Sequence, residues 1–435
     1  MSKTFRKWSP NQGSLFSRDP RELIEEKHLS RVLLKIVSKL DLSRMYSNYR
    51  GSVGGQPPYE PRMMLSVLLY GYMRGVYSSR ELERACKERL DFIVLTNYEQ
   101  PDHNSLNRFR TRQSAELKDL FKQVVELCCE AGLVKLKHVA VDGTKLKANA
   151  SKSKSRSYDD ISEQLLEIEE QVDEWFELAE QADSEQSDDD DSDDLDLIPE
   201  DIIEKIEKLQ KLDKAQSCLE QKAQSEKDTR DAQEACGRKP KSHRAPRTDP
   251  DILGKRKHNF TDPDSSLMKT TKGFQQSYNA QACVDSHCGV IVAESLSNRG
   301  VDIDELVPLV EQTKLNTKKS LQELSADAGY CSEHNLEQLE KNEPNLKAYI
   351  ATTSRKGNPR KVAPGSRVER MQKKISKAGK RSRYTLRKHV VEPIFGQIKW
   401  NRNFKQLPRR GILAAQAEWS LVCSAFNLLK LAKTF

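Results

Sequence analysis

The chain has 435 residues, enough for two to three domains, and its 32% charged against 36% hydrophobic residues indicate that a good part of it lies outside a packed core. Its nine cysteines form no CxxC pair and no regular spacing, which excludes a disulfide framework and is typical of a reducing cytoplasm. The net charge is +8, but 19 Lys or Arg residues and only two acids fall between residues 355 and 410. A block this basic indicates a polyanion such as nucleic acid as the partner, with a solvated linker as the alternative.

Neither of the two apolar segments predicts a membrane span. The first, residues 63–73, is too short to cross a bilayer, and the second, residues 412–432, carries Gln416, Glu418 and Lys430. We therefore predict that the second segment forms a C-terminal helix docked on the rest of the protein. The basic N-terminal stretch is followed by no apolar run, so we expect no signal peptide and a cytoplasmic location.

Residues 1–135 are predicted to form a helical N-terminal domain that binds DNA or mediates dimerisation. Helix-forming residues follow Pro61, which is tolerated in the first turn of a helix. Further along, the stretch SLNRFRTR could belong to a helix-turn-helix that places Asn107, Arg108 and Arg110 on DNA. A helical dimerisation or docking module explains the same pattern equally well.

From residue 136 the hydrophobic period changes to that of a strand, which is predicted to stop at Asp142 before Gly143. The simplest interpretation of this Asp-Gly pair is a turn. Residues 151–261 are predicted to be an insertion within a strand-based domain that spans 136–435. Within the insertion, residues 159–182 and 199–234 would form two amphipathic helices packed as a hairpin or short coiled coil. Residues 187–196 would form an acidic loop, and residues 237–260 a basic linker.

The strand pattern resumes in residues 277–298, where a five-residue turn from Asp285 to Gly289 predicts a hairpin. A helix, a strand that ends at Asp327, a helix capped by Ser332 and a further strand follow. This order predicts an α/β core with a mixed sheet flanked by helices.

Three acids in this domain are candidates for a common site. Asp142 and Asp327 stand at predicted strand ends, which line the functional crevice of α/β sheets. Glu392 precedes Pro393 at a predicted helix start, where the backbone dipole keeps a carboxylate ionised, and Lys399 on the same stripe could hold a phosphate. Singly, each acid is more often a turn, cap or surface residue. Together, three carboxylates suit a pair of Mg²⁺ ions roughly 3.5–4 Å apart that promote phosphodiester cleavage.

Several segments, in this order, resemble the DDE-type transposases of bacterial insertion sequences. The matching segments are GQPPYEPRMMLSVLLYGYMRGVYSSRELE, PDHNSLNRFR, VAVDGTKLKANAS, TDPDSSLMKT, GFQQSYNAQACVD, ADAGYCSEHNL and RKHVVEPIFGQIKW. The resemblance implies an RNase H-like core, with Asp142, Asp327 and Glu392 as catalytic residues and ligands of two Mg²⁺ ions, for which Mn²⁺ could substitute. It also implies cleavage at element ends and strand transfer. The expected partners are double-stranded DNA, as terminal inverted repeats and target, and further copies of the chain in a homodimer or higher synaptic complex, with no membrane.

One spacing departs from the related pattern Tyr-x2-Arg-x3-Glu-x6-Lys. Four residues separate Arg387 from Glu392, so Lys388 could take the arginine position. The predicted DNA contacts are Lys399, Arg387, Lys388, Tyr384, Arg402, Arg108, Arg110 and Lys145. Two alternatives remain open: a non-catalytic DNA-binding protein derived from a transposase, and an RNase H-like nuclease without strand transfer.

Overall fold

The structure is a computed structural model that describes residues 19–49, 57–185, 198–235, 249–270, 273–352, 362–379 and 382–435. The predicted acidic loop 187–196 lies outside the described residues, as do residues 237–248 of the basic linker predicted at 237–260. The chain divides into two compact units. The first contains residues 1–148, 268–272 and 277–435, and the second contains residues 149–267 and 273–276.

Seven helices precede the first strand in the described part of the first unit. They are α1 (Leu29–Val37), α2 (Ser43–Ser47), α3 (Pro61–Arg74), α4 (Ser79–Glu88), α5 (Leu90–Thr96), α6 (His103–Arg112) and α7 (Ser114–Glu130). Helix α3 starts at Pro61, and the Glu60 carboxylate accepts a hydrogen bond from the Met63 backbone N–H at 2.7 Å. Gly75, with a φ of 78°, ends it. These helices and most of the main sheet belong to the same compact unit.

The main sheet has six strands in the described residues: β1 (Val139–Lys147), β4 (Ser266–Thr270), β5 (Gly273–Asp285), β6 (Ile291–Ser297), β7 (Glu323–Ala326) and β8 (Lys347–Ile350). The strand order is β4-β5-β1-β7-β8, with β6 paired to β5. Strand β1 is antiparallel to β5 and parallel to β7, so the sheet is mixed, as predicted.

The position of Asp142 within its strand differs from the prediction. Strand β1 does not stop there but continues to Lys147, with Asp142 opposite Ala282 and Lys147 opposite Ser277. The reason is the length of β5, whose backbone supplies hydrogen-bonding partners beyond Gly143. This long-range pairing overrides the local turn tendency of the Asp-Gly pair.

Helices follow and flank these strands. They are α11 (Leu306–Thr317), α12 (Glu333–Asn342), α13 (Arg367–Ala378), α14 (Arg387–Val390), α15 (Glu392–Gly396) and α16 (Ile412–Leu431). The Ser332 side chain caps α12 as predicted, by accepting a hydrogen bond from the Asn335 backbone N–H at 3.0 Å. The described part of the first unit is therefore an α/β arrangement with additional helices.

Helix α16 is the apolar C-terminal helix predicted from residues 412–432. By length and composition it is the one helix among the described residues that could cross a membrane, but 72% of its most apolar window is buried in the protein. It packs on α3, α7 and β6, and the indole N–H of Trp419 donates to the backbone carbonyl of Gln281 at 3.0 Å. Such burial is typical of a core helix, in agreement with the predicted docking.

The second unit contains two long helices, α8 (Tyr158–Glu185) and α9 (Glu200–Ala235), a short helix α10 (Pro250–Leu253) and the strand pair β2 (Ser155–Ser157) and β3 (Lys257–Asn259). The Tyr158 hydroxyl donates to Glu220, and the Gln216 amide donates to Ser162, so α8 and α9 run antiparallel. Their contact is apolar and is formed by Ile161, Leu165, Ile168, Val172, Leu212, Ala215 and Leu219. Burial of this stripe explains why two helices with charged outer faces pack together.

Glu294 on β6 makes the folding free energy depend on pH. Burial raises the pKa of this 1% exposed carboxyl to about 7, although Ser420 and Gln416 donate hydrogen bonds to it. Between pH 4.5 and 7 the unfolded chain therefore ionises Glu294 while the folded protein retains its proton, so stability falls as pH rises. We expect Glu294→Gln to remove this loss of up to about 3 kcal/mol.

The check is the free energy of unfolding in urea measured from pH 4 to pH 8. The difference between Glu294→Gln and the native protein should grow with pH and level off above 7. Glu311→Gln, a change at an exposed position, serves as the matched control. A difference that does not vary with pH would contradict the assignment.

Candidate active site

The pairing of β1 with β7 places Asp142 and Asp327 side by side. The two strands are parallel, and their register runs from Val139 opposite Leu324 to Val141 opposite Ala326. Asp142 and Asp327 directly follow Val141 and Ala326 in the sequence. Asp327 also caps a 3₁₀ turn, because its carboxylate accepts a hydrogen bond from the Ala328 backbone N–H at 2.9 Å. Two carboxylates thus lie where the β1–β7 pairing ends.

Arg387 connects these two aspartates to Glu392, the first residue of α15. Its guanidinium Nη1 lies 2.6 Å from Asp142 Oδ2, and its Nη2 lies 3.3 Å from Glu392 Oε1 and 3.8 Å from Asp327 Oδ2. The Arg387 side chain is 10% exposed, whereas the side chains of Asp327 and Glu392 are each 49% exposed. One buried cation therefore contacts all three predicted acids.

The irregular spacing before Glu392 is accommodated by a break in the helix. Helix α14 begins at Arg387 and ends at Val390, Val391 interrupts it, and α15 begins at Glu392. Arg387 faces the acids and is buried, while Lys388 is exposed. Arg387 rather than Lys388 thus lies with the three carboxylates.

Tyr384 completes this cluster from the preceding 3₁₀ turn. Its hydroxyl donates to Asp327 Oδ1 at 3.1 Å, and the Arg387 guanidinium carbon lies 5.9 Å from the centre of its ring. Burial, followed by the charge of Asp327, raises the pKa of Tyr384, so the phenol stays protonated and able to donate.

The electrostatics of the cluster favour a bound cation. Burial raises the pKa of Asp142 to about 6, although Arg387 and the Gly143 backbone N–H act in the opposite direction. Burial alone would lower the pKa of Arg387, but the charges of Asp142, Asp327, Tyr384 and Glu392 raise it above its usual value. A partly desolvated carboxylate of this kind needs positive charge beside it to remain ionised at neutral pH.

The chemistry of the donor atoms fits a hard divalent cation, because all three acids present carboxylate oxygens to the Arg387 guanidinium. Among the described residues, no group of three or more His, Cys, Asp or Glu side chains stands in a metal-binding arrangement. The acids could therefore hold a divalent ion if the guanidinium moved away.

Two family models match segments of the chain on either side of the central strands. Residues 18–112 match the Transposase domain (DUF772), and residues 352–432 match the Transposase DDE domain. The two matches support a DDE-type transposase with an N-terminal helical domain. Arg387 and Glu392 lie inside the second matched segment, whereas Asp142 and Asp327 lie between the two. No curated protein and no solved structure matches the chain.

The chain also has a hydrogen-bonded layer centred on Gln281 of β5, which lies opposite Gly143 of β1. The Gln281 amide donates to Asp302 Oδ1 at 2.8 Å, and the Tyr330 hydroxyl donates to Gln281 Oε1. Asn279 also donates to Asp302 Oδ1, at 2.7 Å. None of these residues was predicted as a site residue from the sequence. The available signal was the pair of amides at alternate positions in the otherwise apolar stretch NAQACV.

Gly143 leaves room for this layer, and we expect Gly143→Ala to destabilise the protein by about 1–3 kcal/mol. An added Cβ would lie 2.8 Å from Gln281 Cδ and closer still to its Nε2. The Gln281 side chain could move away from the added Cβ only by losing its hydrogen bonds to Asp302 and Tyr330. Urea unfolding measures the change. Gly396→Ala is the matched control, because nothing lies within 4 Å of its added Cβ, and an equal loss there would contradict the steric explanation.

Several predicted DNA contacts are engaged within the protein. Lys399 Nζ donates to the Lys145 carbonyl at 2.8 Å, and Lys145 Nζ donates to the Gly300 carbonyl at 3.2 Å. Burial lowers the pKa of both lysines. The Arg402 guanidinium lies 5.1 Å from the centre of the Phe426 ring. In this structure, Lys399, Lys145 and Arg402 therefore make contacts within the protein around β1 and α16.

Arg110 must be removed from the predicted DNA contacts. It is 1% exposed, its Nη2 donates to the Tyr77 carbonyl at 2.9 Å, and its Nη1 lies 3.9 Å from the buried Glu418 carboxylate. It faces the core because Glu418 and the Tyr72 ring surround it there. Arg108, two residues earlier on α6, is exposed.

The basic block between residues 355 and 410 is partly compensated by acids of the protein. Arg367 and Arg370 on α13 contact Glu340 of α12, at 2.9 and 3.4 Å, and Lys373 contacts Glu369 at 2.7 Å. Residues 353–361 and 380–381, which carry further basic side chains, lie outside the described residues. Exposed ion pairs of this kind contribute little to stability and can exchange with other anions.

Proposed function

We propose that the chain is an insertion-sequence transposase that cuts DNA at the ends of a mobile element and joins those ends to target DNA. The observation that carries the proposal is the convergence of Asp142, Asp327 and Glu392 on one buried guanidinium. These acids come from β1, from the end of β7 and from α15. The mixed sheet supports an RNase H-like assignment of the core.

We propose Mg²⁺ as the cofactor, with Mn²⁺ as a substitute, and assign two ions to the three acids. When bound, the ions would supply a nucleophile effective at neutral pH and offset charge on the phosphate oxygens. Asp142 is positioned by its pairing with Ala282 on β5, and the preceding residue, Val141, is also paired with Ala326 on β7. Asp327 is oriented by Tyr384 and the Ala328 backbone N–H, and Glu392 is held at the first turn of α15.

The proposed reaction has two transfers at phosphorus. In cleavage, a water oxygen bonds to phosphorus and the bond to the 3′ oxygen breaks, which leaves a 3′-hydroxyl on the element. In joining, that 3′ oxygen bonds to a target phosphorus while the bridging target oxygen leaves with a proton. The second transfer replaces one phosphodiester with another, so it needs no external energy source.

The DNA surface that we propose includes the exposed side chains of Lys388, next to Arg387 in the sequence, and of Arg108 on α6, together with the basic block of residues 355–410. Arg387 and Tyr384 would contact the strand at the acids. If this surface neutralises phosphates, affinity should fall by about 0.9 log units per log unit of salt for each phosphate. Two element ends must be held together, so a homodimer or higher synaptic complex in the bacterial cytoplasm, at the nucleoid, is proposed.

The test incubates the protein with Mg²⁺ and DNA that carries the inverted ends flanking its own gene. We expect nicked and joined products from the native chain and neither product from Glu392→Gln. Binding without nicking by the native chain would instead support a non-catalytic DNA-binding protein. Nicking without joined products would support an RNase H-like nuclease.

A further inference from the structure

The guanidinium of Arg387 holds the position that a metal ion must take if the acids are its ligands. Its contact with Asp142 is short, at 2.6 Å, and is typical of a charge-assisted hydrogen bond. Its contacts with Glu392 and Asp327, at 3.3 and 3.8 Å, are longer than such bonds normally are. The guanidinium is therefore bound closely to Asp142 and more weakly to Glu392 and Asp327.

We propose that Arg387 is an exchangeable internal counter-ion, which neutralises the three acids in the metal-free protein and is displaced when a divalent metal binds. This inference rests on the proposed function, because it assumes that the three acids are the metal ligands. It assigns to Arg387 a role that precedes any contact with DNA.

The exposure of the acids supports displacement. Asp327 and Glu392 are each 49% exposed, so both carboxylates are accessible to a solvated ion while Arg387 remains behind them at 10% exposure. Arg387 Nε is buried without a hydrogen-bond partner, so the guanidinium is not anchored at that atom. In an arginine with a purely structural role, all buried N–H donors are normally hydrogen-bonded.

A guanidinium and a divalent ion cannot share this position, because they are like charges competing for the same oxygens. Metal affinity and Arg387 binding are then coupled, and each lowers the affinity of the other by the same factor. Arg387 becomes available to a DNA phosphate only after it leaves the acids. The proposal therefore places metal binding before the contact between Arg387 and DNA.

The experiment measures Mg²⁺ and Mn²⁺ binding to the full chain by calorimetry without DNA, together with thermal unfolding in chelator and in metal. For Arg387→Gln we expect at least about fivefold tighter metal binding, within the usual range of site coupling. In chelator it should melt below the native protein, and added metal should raise its melting temperature by more. Arg387→Lys, which restores one charge, should bind metal with intermediate affinity.

Arg383→Gln is the matched control, because Arg383 lies on the same segment but is 58% exposed and pairs with Glu323 at 3.5 Å. Its metal affinity should equal that of the native protein. Weaker metal binding by Arg387→Gln would overturn the proposal and show that Arg387 instead positions the acids for the ion. Unchanged affinity in Arg387→Gln and Arg387→Lys would also overturn it.

These outcomes are separable from a failure of the proposed function, since the binding measurements need no DNA. If Arg387→Gln binds metal more tightly but the native protein cuts no DNA, the proposed reaction is rejected and the counter-ion role of Arg387 is retained. If the native protein cuts DNA but the variants bind metal with unaltered affinity, the counter-ion role of Arg387 is rejected and the proposed reaction is retained.

Discussion

Asp142→Asn is expected to lower the rate of DNA cleavage by roughly 10³-fold while DNA binding and folding remain intact. The asparagine has nearly the same shape and can still accept the hydrogen bond from the Gly143 backbone N–H. It lacks the negative charge that would bind a cation at the most buried of the three acids. The loss should therefore appear in the chemical step rather than in affinity.

Single-turnover cleavage of end-containing DNA in Mg²⁺, with affinity measured in parallel, tests this expectation. Asp304→Asn is the matched control, because Asp304 is 53% exposed and its carboxylate pairs with Arg299 at 3.3 Å. The control should cut at the native rate. An Asp142→Asn protein that also cut at the native rate would remove Asp142 from the proposed site.

Arg110→Ala is expected to lower the free energy of unfolding by about 3–5 kcal/mol. The substitution leaves the Glu418 carboxylate, which is 0% exposed, with Arg409 at 3.9 Å as the remaining ionic contact. It also removes the guanidinium that lies over the Tyr72 ring and opens a cavity between α6 and α16. Losing one partner of a buried ion pair costs more than the pair contributes when intact.

Urea unfolding at neutral pH measures the loss, and Arg108→Ala on the same helix is the matched control. Arg108 is exposed, so its removal should change stability by no more than about 0.5 kcal/mol. If Arg108 contacts DNA as proposed, the control should instead lower DNA affinity. A folded Arg110→Ala protein of native stability but weakened DNA binding would restore the original prediction for Arg110.

Features that depend on neighbouring residues were predictable from the sequence. The docked C-terminal helix, the Ser332 cap, the strand that ends before Asp327 and the start of α15 at Glu392 all follow from local periodicity and from the positions of serine and proline. The order of motifs also indicated the family that the two matching transposase domains support.

Contacts between distant residues were decided by the tertiary structure. Asp142 lies inside a strand because residues 277–285 pair with it from more than a hundred positions away. The same applies to the burial of Arg110 against Glu418 and to the hydrogen bonds of Gln281 with Asp302 and Tyr330. A local pattern cannot distinguish a buried arginine from an exposed one when its partner comes from another part of the chain.

The three acids illustrate both parts of this division. Each acid was selected from the sequence by a local signal, namely a predicted strand end or a predicted helix start. Their meeting at Arg387 could not be predicted in this way, because it depends on the register of β1 with β7 and on the break at Val391. Local propensity specifies the elements, whereas packing and long-range pairing select which side chains those elements bring within reach of one another.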